Sequence, residues 1–98
     1  MKKSSIFFMA NKNKIVIYIG VTSNLLARVH QHKTKIHKGF TSKYNCDKLV
    51  YFEEFEDINQ AIEREKQLKA GNRKRKEALI QLENSNWEDL SEGWIFQF

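Results

Sequence analysis

A chain of 98 residues, 41% hydrophobic and 30% charged, holds enough apolar material for one domain with a modest core and too much to stay disordered. Seventeen Lys and Arg against 12 Asp and Glu leave a net charge of +5, which points to an anionic partner, nucleic acid ahead of a membrane surface, or simply to solubility. No segment approaches the ~18 apolar residues of a bilayer span, the patch at 6–10 is too short for a signal-peptide core, and the single cysteine, Cys46, rules out an internal disulfide and a thiolate zinc cluster; the expected setting is cytoplasmic, with no membrane partner.

The pattern predicts a first strand at 5–10, a polar turn at 11–14 and a second strand at 15–21, together an antiparallel hairpin. The unbroken apolar run from Ile15 to Gly20 predicts a second strand covered on both faces, with Gly20 allowing a bend or a close approach of a ligand. Ser23 is the expected N-cap of a helix from about Asn24 to Lys35. Leu25, Val29 and Ile36 share one stripe of that helix, with Leu26 at its edge. Residues 37–45 read as a loop and 48–55 as a third strand. Asp57 is placed to cap a helix over 58–69, with Ile58, Ala61, Ile62, Glu65 and Leu68 at core spacing and Glu63 and Arg64 facing outward. Gly71 can take a C-terminal cap conformation and Asn72 can cap the next helix, and that last helix, at 73–83, is expected to pack through Ala78, Leu79 and Leu82. Trp87 and Leu90 are expected to dock as a short helix, whereas Trp94, Phe96 and Phe98 belong to an aromatic tail that packs or meets a partner. The order β-β-α-β-α-α gives an α/β (α+β) domain, one sheet layer flanked by helices, over residues 1–98 with its core at about 5–90.

Chemistry enters where polar groups interrupt these patterns. Glu65 stands in a core stripe, and a buried carboxylate needs a partner: a divalent cation that keeps most of its waters, or a lysine, arginine or tyrosine hydroxyl. Arg28 and His32, at i and i+4, lie side by side next to the apolar stripe. A guanidinium fork suits a phosphate or a surface ion pair, and an imidazole suits proton exchange near neutral pH or a plain polar edge. Tyr18, at a strand end, is a hydrogen-bonding phenol or simply packing. Lys33, Lys35, Lys38 and Lys43, with Phe40 and Tyr44, form a basic and aromatic region. Arg73, Lys74, Arg75 and Lys76 form a second basic patch; each suits phosphate contacts or solvation.

Taken together, "YIGVTSNLLARVHQHK", "GFTSKYNCDKLVYFEEFEDINQAIEREKQLKAGNRKRKEALI" and "NSNWEDL" resemble the GIY-YIG nuclease superfamily, in particular its small single-domain members related to the amino-terminal nuclease domain of the bacterial excinuclease. The resemblance implies a three-stranded antiparallel sheet flanked by helices, and Mg²⁺- or Mn²⁺-dependent cleavage of nucleic-acid phosphodiesters, with DNA the first choice. It implies that Tyr18 is the second-motif tyrosine, that Arg28 steadies the scissile phosphate, that His32 is the histidine some members carry one turn later, and that Glu65 holds the one divalent metal. Lys43 and Tyr44 fall in the loop where members add polar groups. The first motif aligns with Ser5-Ile6-Phe7, so Phe7 replaces a tyrosine and can neither hydrogen-bond through a hydroxyl nor exchange a proton. The expectation is therefore an endonuclease weakened by Phe7, with a nucleic-acid-binding module or an interaction protein that uses the aromatic tail as the alternatives.

Overall fold

The computed structural model describes residues 3–35 and 39–94. The expectations for Ile36, Lys38, Phe96, Phe98 and the Phe40 side chain lie outside what is described. The elements are β1 (Ser4–Ala10), β2 (Ile17–Thr22), α1 (Leu25–Thr34), α2 (Phe40–Lys43), β3 (Lys48–Phe55), α3 (Ile58–Ala70) and α4 (Arg73–Glu83). The antiparallel sheet runs in the order β2-β1-β3, with helices on both faces. Among the described residues no helix is long and apolar enough to cross a membrane.

Every residue of β1 is buried because the strand pairs on both sides and is covered on both faces. Its alternation sends Ile6, Phe8 and Ala10 to one core, with Ile19, Tyr51, Ala61, Leu68, Ile80 and Trp87. Phe7 and Met9 go to the other, with Val29, Cys46 and Leu49. Phe7 and Phe8 thus lie on opposite faces, as the period of a strand requires. Cys46 is buried as a small hydrophobe, and desolvation, then the charge of Asp47, pushes its thiol up. Between Phe8 and Met9 the pairing with β3 slips by one residue, leaving Val50 as a bulge on the same core as Tyr51.

Several expectations are corrected. The doubly covered strand is β1. The apolar run at 15–20 forms an edge strand that starts only at Ile17, and Ile15 is 66% exposed. Asn24, not Ser23, caps α1: its Oδ1 accepts the Ala27 N–H at 3.1 Å, while Thr22 Oγ1 accepts the Asn24 N–H at 3.0 Å. The helix stops at Thr34 because Lys35 turns left-handed, with φ 56°. Part of the expected loop is the helical turn α2. In α4 the buried anchor is Ile80. Leu79 is half-buried, Ala78 is exposed and Leu82 is 82% exposed. Trp87 docks as expected, on a turn rather than a helix, and Leu90 remains 36% exposed. Arg64 faces β3, where its guanidinium donates to both Glu53 oxygens at 2.9 and 3.0 Å. Trp94 packs edge-on against Phe52, at 6.4 Å between ring centres.

Candidate active site

Because β2 is an edge strand, elements from both faces of the sheet can meet along its open side. Tyr18 projects to the face it shares with Phe7 and Gly20. There three rings gather: Tyr18 and His32 at 5.4 Å between centroids, Phe7 and His32 at 5.6 Å, and Phe7 and Tyr18 at 6.2 Å. Gly20 lies directly across the ladder from Phe7, and a Cβ there would come within 2.5 Å of Phe7 Cζ. The close approach expected at this glycine is therefore made by the Phe7 ring, from the protein itself.

The imidazole of His32 is buried in the face of α1 that carries Val29. Its Nδ1 lies 2.8 Å from the hydroxyl of Thr41, itself buried on α2. The short helix thus fixes the ring of the longer one. One turn earlier, Arg28 is half-buried and donates to Gln31 Oε1 at 3.2 Å. A guanidinium carries five donors, so this contact leaves capacity for a ligand.

Glu65 approaches from the other face, on α3. Its side chain is only 15% exposed, and its carboxylate pairs with Lys69 one turn on, at 3.5 Å. The lysine reading of that carboxylate is thus realised. Lys69 also lines, with Ile17, Tyr18, Ile19 and Lys76, a hollow of about 360 Å³ along β2. The structure therefore joins Phe7, Tyr18 and His32 by direct ring contact. Glu65 is tied to the same edge through Lys69.

The basic residues separate into two groups. Lys33 donates to Asp89, whose other oxygen accepts from the backbone of Leu49 and Ser91 and from the Ser91 hydroxyl at 2.6 Å. Burial alone would raise the Asp89 carboxyl, but Lys33 and these donors hold it below the usual range. Arg73 donates to the carbonyls of Lys14 and Ile15, fastening α4 to the β1–β2 turn. Lys35 donates to Asn45 Oδ1 at 2.7 Å, and Lys43 lies over the Tyr44 ring at 5.5 Å; all of these are exposed. Lys74 and Arg75 are exposed as well, whereas Lys76 is half-buried against the hollow. The sequence reading missed Thr41 and Lys69. The signal for Lys69 was present as a Glu-to-Lys pair at i, i+4. For Thr41 there was none, because its role depends on how a loop folds.

Among the described residues no three His, Cys, Asp or Glu side chains converge. A single carboxylate, hard in its oxygen donors and opposed by a half-exposed lysine, nonetheless fits a hard cation such as Mg²⁺, which takes one or two carboxylates and keeps several waters.

Comparison with known proteins gives three findings. The family model for the GIY-YIG catalytic domain matches residues 3–83. No curated protein matches the chain. A UPF0213 protein from Bacillus halodurans, solved in solution by NMR, is similar in fold, with a TM-score of 0.57 over 94% of this chain and 97% of that one at 21% identity.

Proposed function

The chain belongs to the GIY-YIG family of nucleases, and on that premise we propose that it is a divalent-cation-dependent endonuclease that hydrolyses phosphodiester bonds, in DNA ahead of RNA. The observation that carries this reading is the convergence on β2: a tyrosine and a histidine in ring contact on one side, and on the other a carboxylate whose lysine partner shares a hollow with that tyrosine.

In this reading the Arg28 fork binds the scissile phosphate and stabilises the charge that builds on its oxygens. An imidazole exchanges protons near neutral pH, whereas an ordinary phenol does so only near pH 10. His32 therefore takes the proton of the attacking water, and Tyr18 orients that water through its hydroxyl. Thr41 keeps the imidazole aimed. Glu65 would hold the cation, which supplies Lewis-acid polarisation of the phosphate. Phe7 brings only its ring to this site.

The test is incubation with plasmid and with branched and single-stranded oligonucleotides, in Mg²⁺ or Mn²⁺ and in EDTA. Cleavage is expected with metal and is expected to vanish in EDTA and in Glu65→Ala. Arg28→Ala is expected to lower the rate by roughly 10²- to 10³-fold. Cleavage that persists in Glu65→Ala overturns the role given to that carboxylate. Phe7 favours a second reading, a protein that binds nucleic acid without cutting it; binding with no cleavage under any metal condition would decide for it.

A further inference from the structure

Lys69 has two neighbours that pull it in different directions. Toward its own helix it meets Glu65 at 3.5 Å. Toward β2 it lines the hollow with Tyr18 and Lys76. The two ends of the ion pair differ sharply in exposure, 54% for the Lys69 side chain and 15% for that of Glu65. The carboxylate is held by its surroundings, while the ammonium sits on a flexible stem that can reorient at little cost. The hollow it borders is lined by Ile17, Tyr18 and Ile19 of β2 and by two lysines, Lys69 and Lys76. Two cations beside a small cleft suit a phosphate, as point charges rather than as a fork.

We infer that Lys69 serves both partners in turn: it neutralises Glu65 in the resting protein and, once a divalent cation takes the carboxylate, is released to bind a backbone phosphate of the substrate in the hollow beside Tyr18, with Lys76 as its neighbour there. The inference rests on the reading of Glu65 given above. It makes Lys69 a competitor of the metal and an ally of the nucleic acid, so removing it moves the two affinities in opposite directions. A lysine that merely decorated the surface of α3 would move neither.

The experiment measures both affinities on the whole chain without using cleavage. Mn²⁺ binding is followed by electron paramagnetic resonance, and binding of a fluorescent duplex oligonucleotide with cleavage-resistant phosphorothioate linkages, at a fixed saturating Mn²⁺ concentration, by anisotropy across a salt series. In Lys69→Ala, and in Lys69→Gln as a second variant that keeps length and polarity, Mn²⁺ is expected to bind up to about fivefold tighter, the loss of one partly exposed ion pair. The oligonucleotide is expected to bind more weakly, with the slope of log K against log salt reduced by about 0.9. Lys69→Arg is expected to restore the salt slope. Unchanged affinities, or a shift of both in one direction, overturn the inference. A Glu65-independent nuclease overturns the parent reading instead. In that case the Mn²⁺ measurement separates the two, because metal binding untouched by Glu65→Ala removes the competition on which Lys69 is said to act.

Discussion

A methyl group on Gly20 would sit 2.5 Å from Cζ and 2.8 Å from Cε1 of Phe7, closer than packed carbons approach. The Phe7 ring cannot step aside, because it is wholly buried between His32, Tyr18 and the core of its face. Gly20→Ala is therefore expected to cost about 1–3 kcal/mol by overpacking, lowering the melting temperature by roughly 4–8 °C for each kcal/mol. Combined with Phe7→Leu, the loss is expected to be smaller than the sum of the two single losses, since both act on one contact. An additive result would place the strain elsewhere. The same crowding bears on the missing phenol. Phe7→Tyr adds a hydroxyl at the ring atom that lies over Gly20. Inserting it is expected to cost about 1–3 kcal/mol wherever it lacks a partner and, on the proposed mechanism, to raise the cleavage rate on the order of 10²-fold by supplying a further proton-transfer group. A melting temperature that falls while the rate stays fixed shows that the phenol was not limiting.

At the scale of elements, α1 carries two of the proposed site residues and is fixed at three points: the Asn24 cap, the contact of His32 with Thr41, and the bond from Lys33 to Asp89. Thr41→Val keeps the shape and deletes the hydroxyl. It is expected to cost about 1 kcal/mol of stability and to lower kcat with little change in KM, because it releases the ring that takes the proton and leaves the phosphate contact alone. An equal fall in the variant and in a control on the far side of α1 would mark the effect as structural only. Every element except the short α2 was legible from local pattern, as were two helix caps, Asp57 and Asn72, and the family resemblance drawn from Tyr18, Arg28, His32 and Glu65 is matched by the GIY-YIG domain over residues 3–83. What was not legible depended on neighbours distant in sequence. Two consecutive apolar strands look alike until pairing decides which is central. Leu82 and Ile80 both sit in an amphipathic run until packing chooses the face. Lys33 and Lys35 read as the same basic cluster, yet one meets a carboxylate 56 residues away and the other meets Asn45 in the neighbouring loop.

Over the whole molecule, residues 84–90 lie beyond the matched family domain and are nonetheless stitched to the sheet. Asn84 donates to the Val50 carbonyl at 3.1 Å, Trp87 enters the core, and the Leu90 N–H donates to the Leu49 carbonyl at 2.7 Å. Asp89 joins this segment to both β3 and α1 through Leu49 and Lys33. Its carboxyl is held below the ordinary value of 3.8, so the sign of its pH effect is fixed: the stabilisation is complete above that value and is lost as pH falls through the lower folded one. Glu53 behaves alike: burial opposes ionisation, but Arg64 and the Tyr51 hydroxyl hold its carboxyl below the ordinary 4.5. Thermal melts are expected to be level from about pH 7 to 5 and to fall steeply below about pH 4. Asp89→Asn tests the assignment, because Asn keeps an oxygen for the Leu49 and Ser91 donors and loses the charge and the acceptor facing Lys33. The variant is expected to melt lower at pH 7, and the gap to the parent is expected to close in acid, where the parent's carboxylate is protonated too. Part of the acid fall is expected to persist in the variant through Glu53. A gap that stays constant from pH 7 to 3 would show that shape, not charge, binds the segment. Lys33 adjoins His32 on α1, so the same variant is expected to slow cleavage at neutral pH while leaving the salt dependence of nucleic-acid binding unchanged. That outcome would assign Lys33 to holding the helix rather than to phosphate contact.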